Sequence, residues 1–343
     1  MACFCQIIPD EVLKRFSRDP KLTAAQRKHF ANAARLGTEI RKLRKQAGKV
    51  TAVTASMGLV AGVVPAAPAI TLSDCQHNQT LPGVPVADPA NSADDTTKRA
   101  FVETSAVADF YKSVFGRNSI DGAGITMASS VHYGTNFNNA FWNGSRMTYG
   151  DGDNNIFIDF TNSTDVIAHE LTHGVTQYSL QLSYTSEAGG LNEHMSDAFG
   201  SMFRQWRAKQ DVTQADWLIG KEIIGPGAAE RGFTCLRDLA SPGAAHCLTP
   251  QPVRFADFQT GMDPHISSGI PNLAFFTAAK AIGGNSWEAL GQIWYKALTG
   301  SDPSPNMSMQ TFANLTRQLA AQMTPPNASV ANAIDAGWTA VGL

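Results

Sequence analysis

The chain has 343 residues, a formal net charge of −2 and charged side chains at only 16% of positions. That length supports two lobes with separate cores, and low charge with plentiful glycine excludes a disordered chain or a coiled coil. Five cysteines, an odd and low number, imply no disulfide framework.

Taken in chain order, residues 1–49 read as a helical prosegment. Val12, Leu13 and Phe16 mark one apolar face, Phe30, Ala34 and Leu36 a second, and the basic run 41–45 before Gly48 reads as an exposed, cleavable linker. The first fifty residues carry 12 Lys and Arg against 4 Asp and Glu, whereas the remainder is acidic. A basic block is one mark of a nucleic-acid binder, but no aromatic interleaving or known motif accompanies this one. The expectation is instead a basic prosegment docked on its own acidic body, with no nucleic-acid partner. Met1 to Pro20 contains Asp10, Glu11, Lys14, Arg15 and Arg18 and has no apolar core, so no classical signal peptide is read there. A cytoplasmic location or non-classical export is expected. The mildly apolar stretch 50–70 is broken by Gly58, Gly62, Pro65 and Pro68, which favours first strands over a membrane span.

From 50 to about 160 the pattern is β-like. Segments 125–133 and 156–160 read as strands, the dipeptides Asn143-Gly144 and Asp151-Gly152 as turns, and a helix is placed near 102–114. Helical periodicity dominates afterwards, predicting helices over 165–179, 187–208, 269–282, 286–299, 308–322 and 328–338. Strands first and helices later predict an α+β fold of two lobes with a cleft between them.

The chemistry concentrates in two of these helices. His169-Glu170-Leu171-Thr172-His173 is an HExxH run. On a helix His169 and His173 share a face and can grip one metal ion, with Glu170 near enough to reach a water on that ion. Ser163, Thr164 or Asp165 is placed to cap the helix. Glu193, on the second helix, supplies a third ligand. Asp197 lies four residues later on the same face and can accept the spare N–H of a ligand imidazole. Two imidazoles and a carboxylate with one open position describe a catalytic zinc site. A thiolate from Cys3 or Cys5 is a further candidate for that open position, and Cys235 and Cys247 flank one loop and can pair in an oxidising compartment.

HELTHGVT followed at this spacing by NEHMSD resembles the thermolysin family of zinc metalloendopeptidases. The likeness extends through 129–133, 138–145, 149–153, Leu236-Arg237 and 265–272. The runs 5–9 and 116–122 resemble the protealysin-like subgroup, made as precursors with a short propeptide. The resemblance implies a thermolysin-like two-lobed zincin: propeptide 1–49, β-rich catalytic lobe 50–182 including the HExxH helix, and α-helical lobe 183–343. It implies an endopeptidase that uses a zinc-activated water with Glu170 as general base, working as a monomer on peptide or protein substrates. Asp197 would orient His169. Tyr184 and His265 take the family positions that stabilise the oxyanion, with Asp263 the candidate partner of His265 on an approach shorter than the family's. Asn139 and the Ala140 backbone would align a peptide by β-addition, and Arg237 would contact a substrate carbonyl. Val166, Ile219 and Leu236 fall at pocket positions and, being aliphatic, imply a preference for hydrophobic residues on the primed side. Of the family's double calcium site Asp165 and Asp216 remain, but Arg204, Leu218 and Lys221 replace other ligands. Calcium is therefore expected to be absent or reduced, with ion pairs in its place. Removal of the prosegment is expected between Arg44 and Ser56, by the enzyme itself. A rival reading is a catalytically silent zinc protein acting through partner binding; the intact Glu170 argues against it.

Overall fold

The computed structural model describes residues 5–47 and 67–343. The prosegment contributes a short strand β1 (Cys5–Gln6) and two helices, α1 (Asp10–Ser17) and α2 (Ala24–Ala47). Pro9 stands at the N-cap of α1, and Asp10 and Glu11 follow where the helix dipole favours acids. Val12, Leu13 and Phe16 recur on one buried face. Phe16 and Phe30 meet Phe157 of the body, with ring centroids 6.4 and 6.3 Å away. Among the described residues, apolar burial and hydrogen bonds join prosegment and body; the side chains of the basic run 41–45 lie outside the described residues. The ion pair of Asp19 with Arg231 even reverses the expected polarity. The expected first strands in 50–70 and the expected cut between Arg44 and Ser56 fall largely outside the described residues.

The first lobe is built on a mixed sheet of β1, β2 (Ile70–Asp74), β3 (Val84–Pro85), β4 (Met127–Val131), β5 (Ala140–Trp142) and β6 (Arg146–Tyr149), in the order β1-β5-β6-β4-β2-β3. β4 runs parallel to both β2 and β6, and the other pairs are antiparallel. Prosegment strand β1 covers the edge that β5 would otherwise leave open, with Cys5 opposite Trp142 and Gln6 opposite Phe141. Helix α3 (Asp95–Phe115) starts earlier than the apolar pattern suggests, because Asp94 caps it by accepting the Thr97 N–H at 2.7 Å. Segment 156–160 is not a regular strand. Asp153 Oδ1 accepts the amides of Asn155, Ile156 and Phe157, so local bonds replace a ladder, leaving one bridge from Phe157 to Ile224.

The second half is helical around a two-stranded ribbon. α4 (Thr164–Gln177) is buried from Asp165 to Thr176 and packs on α5 (Ser186–Ala208). Ser163 stands at the N-cap of α4, yet its hydroxyl serves the Asp165 carboxylate, 2.5 Å away, rather than a helix amide. Strands β7 (Leu218–Ile219) and β8 (Arg237–Asp238) flank a short α6 (Pro226–Ala229). Then come α7 (Pro264–Ser267), α8 (Gly269–Ile282), α9 (Ala289–Thr299), α10 (Met309–Ala321) and α11 (Ala328–Ala340), packed around Phe275, Trp294, Phe312 and Trp338. Among the described residues no helix is long and apolar enough to cross a membrane.

Candidate active site

Helix periodicity brings the two imidazoles of α4 together: His169 Nε2 and His173 Nε2 are 3.1 Å apart. Glu193 reaches them from α5, its Oε2 at 3.4 Å from His169 Nε2 and its Oε1 at 3.5 Å from His173 Nε2. All three side chains are fully buried. Their outward nitrogens are held from behind. His169 Nδ1 donates to Asp197 Oδ1 at 2.9 Å, and His173 Nδ1 donates to Asn192 Oδ1 at 2.8 Å. Both Nε2 atoms are thereby turned towards one point.

The support extends further back. Arg237 forks onto Asp197, Nε to Oδ2 at 2.8 Å and Nη2 to Oδ1 at 2.7 Å, and Asn272 Nδ2 adds a bond to Oδ2 at 2.9 Å. Burial alone would raise the pKa of Asp197, but the Arg237 guanidinium and His169 hold it well below the usual carboxylate range. Asn272 in turn holds His194, whose other nitrogen accepts from Trp294 Nε1 at 2.8 Å. Asn192 and Asn272 had no role assigned from sequence. Both lie inside the quoted runs, and their position beside a His or Asp ligand system was the available signal.

Glu170 points across the cleft. Its Oε2 accepts the Trp142 backbone N–H at 3.0 Å, while Oε1 is buried without a partner. Burial, the main cause, raises its pKa well above that of a free glutamate; Glu193 adds to this and His169 opposes it. Tyr184 donates its hydroxyl to Glu193 and lies 3.1 Å from His265 Nε2. The shortened approach to His265 keeps an acidic partner: Asp263 Oδ1 accepts from His265 Nδ1 at 2.7 Å and caps α7 through the His265 amide. Burial disfavours charge on His265, but Glu193 and Asp263 outweigh it and raise its pKa. The Gly189-Gly190 pair lets α5 approach this segment closely. A Cβ on Gly189 would stand 2.8 Å from Pro264 Cγ, and one on Gly190 2.5 Å from Ser267 Oγ.

The prosegment lies in this cleft. Ile7 N–H donates to Ala140 O at 3.1 Å, and the Asn139 amide clamps Ile8, accepting from its N–H at 3.0 Å and donating to its carbonyl at 3.2 Å. His265 Nε2 is 2.6 Å from the Gln6 carbonyl, and Arg237 Nη1 donates to the Ile7 carbonyl at 3.3 Å. Cys5 Sγ lies within 4.8 Å of donor atoms of His173 and Glu193; it is disulfide-bonded, so it is no thiolate ligand in this state, and Cys3 lies outside the described residues. The aliphatic trio is buried: Val166 one turn before His169, Ile219 opposite Arg237, and Leu236 bonded through its amide to Ile219 O at 2.9 Å.

The donor set fits a zinc ion. Two Nε2 atoms and a carboxylate converge, Glu193 Oε2 is buried without a hydrogen bond, and every back-side nitrogen is already occupied. Where the family resemblance led calcium ligands to be expected, Arg204 bonds Asp216 twice at 3.0 Å and Glu222 at 2.8 Å, and stands 3.6 Å from Asp165; Lys221 bonds Asp216 at 3.1 Å.

Comparison with known proteins agrees with this geometry. Residues 64–177 match the thermolysin metallopeptidase catalytic domain, and 180–343 its α-helical domain. The chain belongs to the thermolysin family of metallopeptidases. An extracellular metalloprotease of Pectobacterium carotovorum subsp. carotovorum is 40% identical over 285 residues, covering 80% of each chain. Protease PrtS of a Photorhabdus strain is 36% identical over 286 residues, 80% of this chain and 76% of that one. The precursor of protealysin, a metalloproteinase from Serratia proteamaculans, superposes with a TM-score of 0.83 at 34% identity, over 98% of this chain and 99% of that one. The protein is thus a metalloprotease of the thermolysin family, protealysin-like subgroup, and the family implies a catalytic zinc.

Proposed function

We propose that the chain is a latent zinc endopeptidase whose own N-terminus, residues 1–49, occupies the substrate cleft until it is cut away, leaving catalytic lobes 50–182 and 183–343. The observation that carries this reading is the path of Gln6–Ile8. These residues pair with the β5 edge and are bonded by Asn139 and Arg237, expected to hold a peptide substrate, and by His265, expected to stabilise the oxyanion.

Zinc, when bound by His169, His173 and Glu193, supplies a Lewis acid that acidifies a water and polarises a carbonyl. Glu170 takes the proton of the attacking water on its unpartnered Oε1 and passes it to the departing amine. His265 Nε2 and Tyr184 Oη donate to the carbonyl oxygen as it gains charge. Asp263 fixes His265 through Nδ1 so that Nε2 faces the cleft. Backbone pairing along β5 is indifferent to side-chain identity, which suits cleavage within diverse chains. The buried aliphatics Val166, Ile219 and Leu236, together with the buried Ile7 and Ile8 of the prosegment, support a hydrophobic primed-side preference. The Arg204 network supports ion pairs in place of the double calcium site. An intact general base is superfluous to a silent binding protein.

The test is the intact mass of the full chain incubated with Zn²⁺, beside Glu170→Ala. Loss of the N-terminal segment by the wild type alone supports the reading. If both chains stay whole and a quenched hydrophobic peptide also survives, the peptidase reading fails.

A further inference from the structure

A second group of metal-type donors lies apart from the catalytic cleft. Cys235, His246 and Cys247 each bring one ligand atom within 4.8 Å of the others. Both cysteines are fully buried, and their sulfurs are 3.7 Å apart. A disulfide requires about 2.0 Å. Two thiolates on one tetrahedral zinc, each at about 2.3 Å, are by geometry roughly 3.8 Å apart. The observed spacing is too long for a disulfide and matches the second arrangement as well as it matches two thiols in contact.

The surrounding chain holds this spacing in place. Cys235 and Cys247 face each other across a parallel bridge, with Leu248 N–H bonded to Cys235 O at 2.9 Å and Thr234 N–H to His246 O at 3.0 Å. Asp238 Oδ1 accepts the amides of Ala240 and Ser241, so its carboxylate is fixed. Its other oxygen takes His246 Nε2 at 3.1 Å. A carboxylate bonded to one imidazole nitrogen leaves the other as the ligand, the arrangement typical of histidines on metals.

We propose that Cys235, His246 and Cys247 form a second metal site, separate from the catalytic one, for a thiophilic divalent ion, zinc in the first instance. Sulfur donors exclude calcium and magnesium. The partly exposed His246 leaves the fourth position open to a water. Binding releases the two thiol protons to solvent as two metal–sulfur bonds form. The site closes the loop 238–246 immediately after Leu236 and Arg237. It thereby fixes the ribbon that carries the Asp197-binding guanidinium. This assignment does not depend on the peptidase reading.

Cobalt(II) tests it without any activity assay. The probe protein is the full chain with Cys3→Ser and Cys5→Ser, reduced, stripped with chelator and titrated with Co²⁺. The catalytic ligands are nitrogen and oxygen only, so a near-ultraviolet thiolate-to-cobalt band reports this site alone. The expected result is such a band, saturating with about one equivalent. It should be abolished in Cys247→Ser, shifted and weakened in His246→Ala, and displaced by Zn²⁺. Zinc should also shield both thiols from alkylation. The titration of the parent protein stands even where a cysteine variant misfolds. A reduced protein that gives no band and two freely alkylated thiols overturns the proposal in favour of packed thiols. Purified protein about 2 Da light, with only the Cys75 thiol recovered on denaturation until reductant is added and no band afterwards, overturns it in favour of a disulfide.

Discussion

At the scale of single residues, the site is legible where ligands follow a helical period and dark where partners come from elsewhere. His169, His173 and Glu193 are set by spacing along two helices, so their convergence could be read from sequence. That Glu170 Oε2 is held by the Trp142 amide could not, because it depends on how the sheet meets α4. This anchoring bears on a prediction. Glu170→Gln keeps shape and the ligands but loses the base, so kcat should fall about 10³-fold while bound zinc is unchanged by elemental analysis. His265→Ala removes an oxyanion donor, and steady-state kinetics should show kcat down about 10²-fold or more with KM altered little. A large rise in KM with unchanged kcat would instead make His265 a substrate-binding residue. Asp263 was named from sequence as the candidate partner of His265; that the same carboxylate also caps α7 through the His265 amide was not legible there.

At the scale of elements, the long helices of the second half were legible from their apolar periodicity, the four-residue α6 and α7 were too short to show one, and segment 156–160 was not legible because a single carboxylate diverts its amides. The two edge-to-edge contacts of β5 deserve a test of the same kind. Asn139 serves both peptide groups of Ile8. Asn139→Ala would leave buried donors and acceptors unmet, at about 1–3 kcal/mol. Inhibition of the mature enzyme by an added prosegment peptide should therefore weaken roughly tenfold or more, and KM for peptide substrates should rise with it. Equal inhibition of wild type and variant would show that the clamp is incidental. The start of α4 offers a second case. Asp165 is fully buried, and its charge faces Arg204 at 3.6 Å. Removing that cation by Arg204→Ala strands a buried carboxylate and should destabilise the fold by about 3 kcal/mol in denaturant unfolding. Added Ca²⁺ should leave the wild-type Tm unchanged. A clear Ca²⁺-dependent rise in wild type would restore a calcium site here.

At the scale of the whole molecule, stability should depend on pH through a histidine far from the zinc ligands. His132 lies between two acids, its Nδ1 2.9 Å from Asp151 Oδ1 and its Nε2 3.1 Å from Asp94 Oδ2. The bond from Asp151 is the main cause of a pKa raised to about 9; burial opposes it, and Asp94 adds to the rise. A histidine whose pKa is higher folded than unfolded binds its proton more tightly in the native state, so protonation stabilises the fold. That contribution is complete below the unfolded pKa of about 6.5 and fades as pH rises towards 9. Asp94 also caps α3, and Asp151 sits on the turn after β6, so the charged ring ties a helix start to the sheet that carries β5. Replacing it by His132→Gln should cost about 2 kcal/mol at pH 6, discounted for partial exposure, and much less at pH 9.5. Denaturant midpoints of both proteins across that range decide the matter. A gap between wild type and variant that stays constant with pH would mean the ring contributes by packing and neutral hydrogen bonds, and that its charge is not coupled to folding.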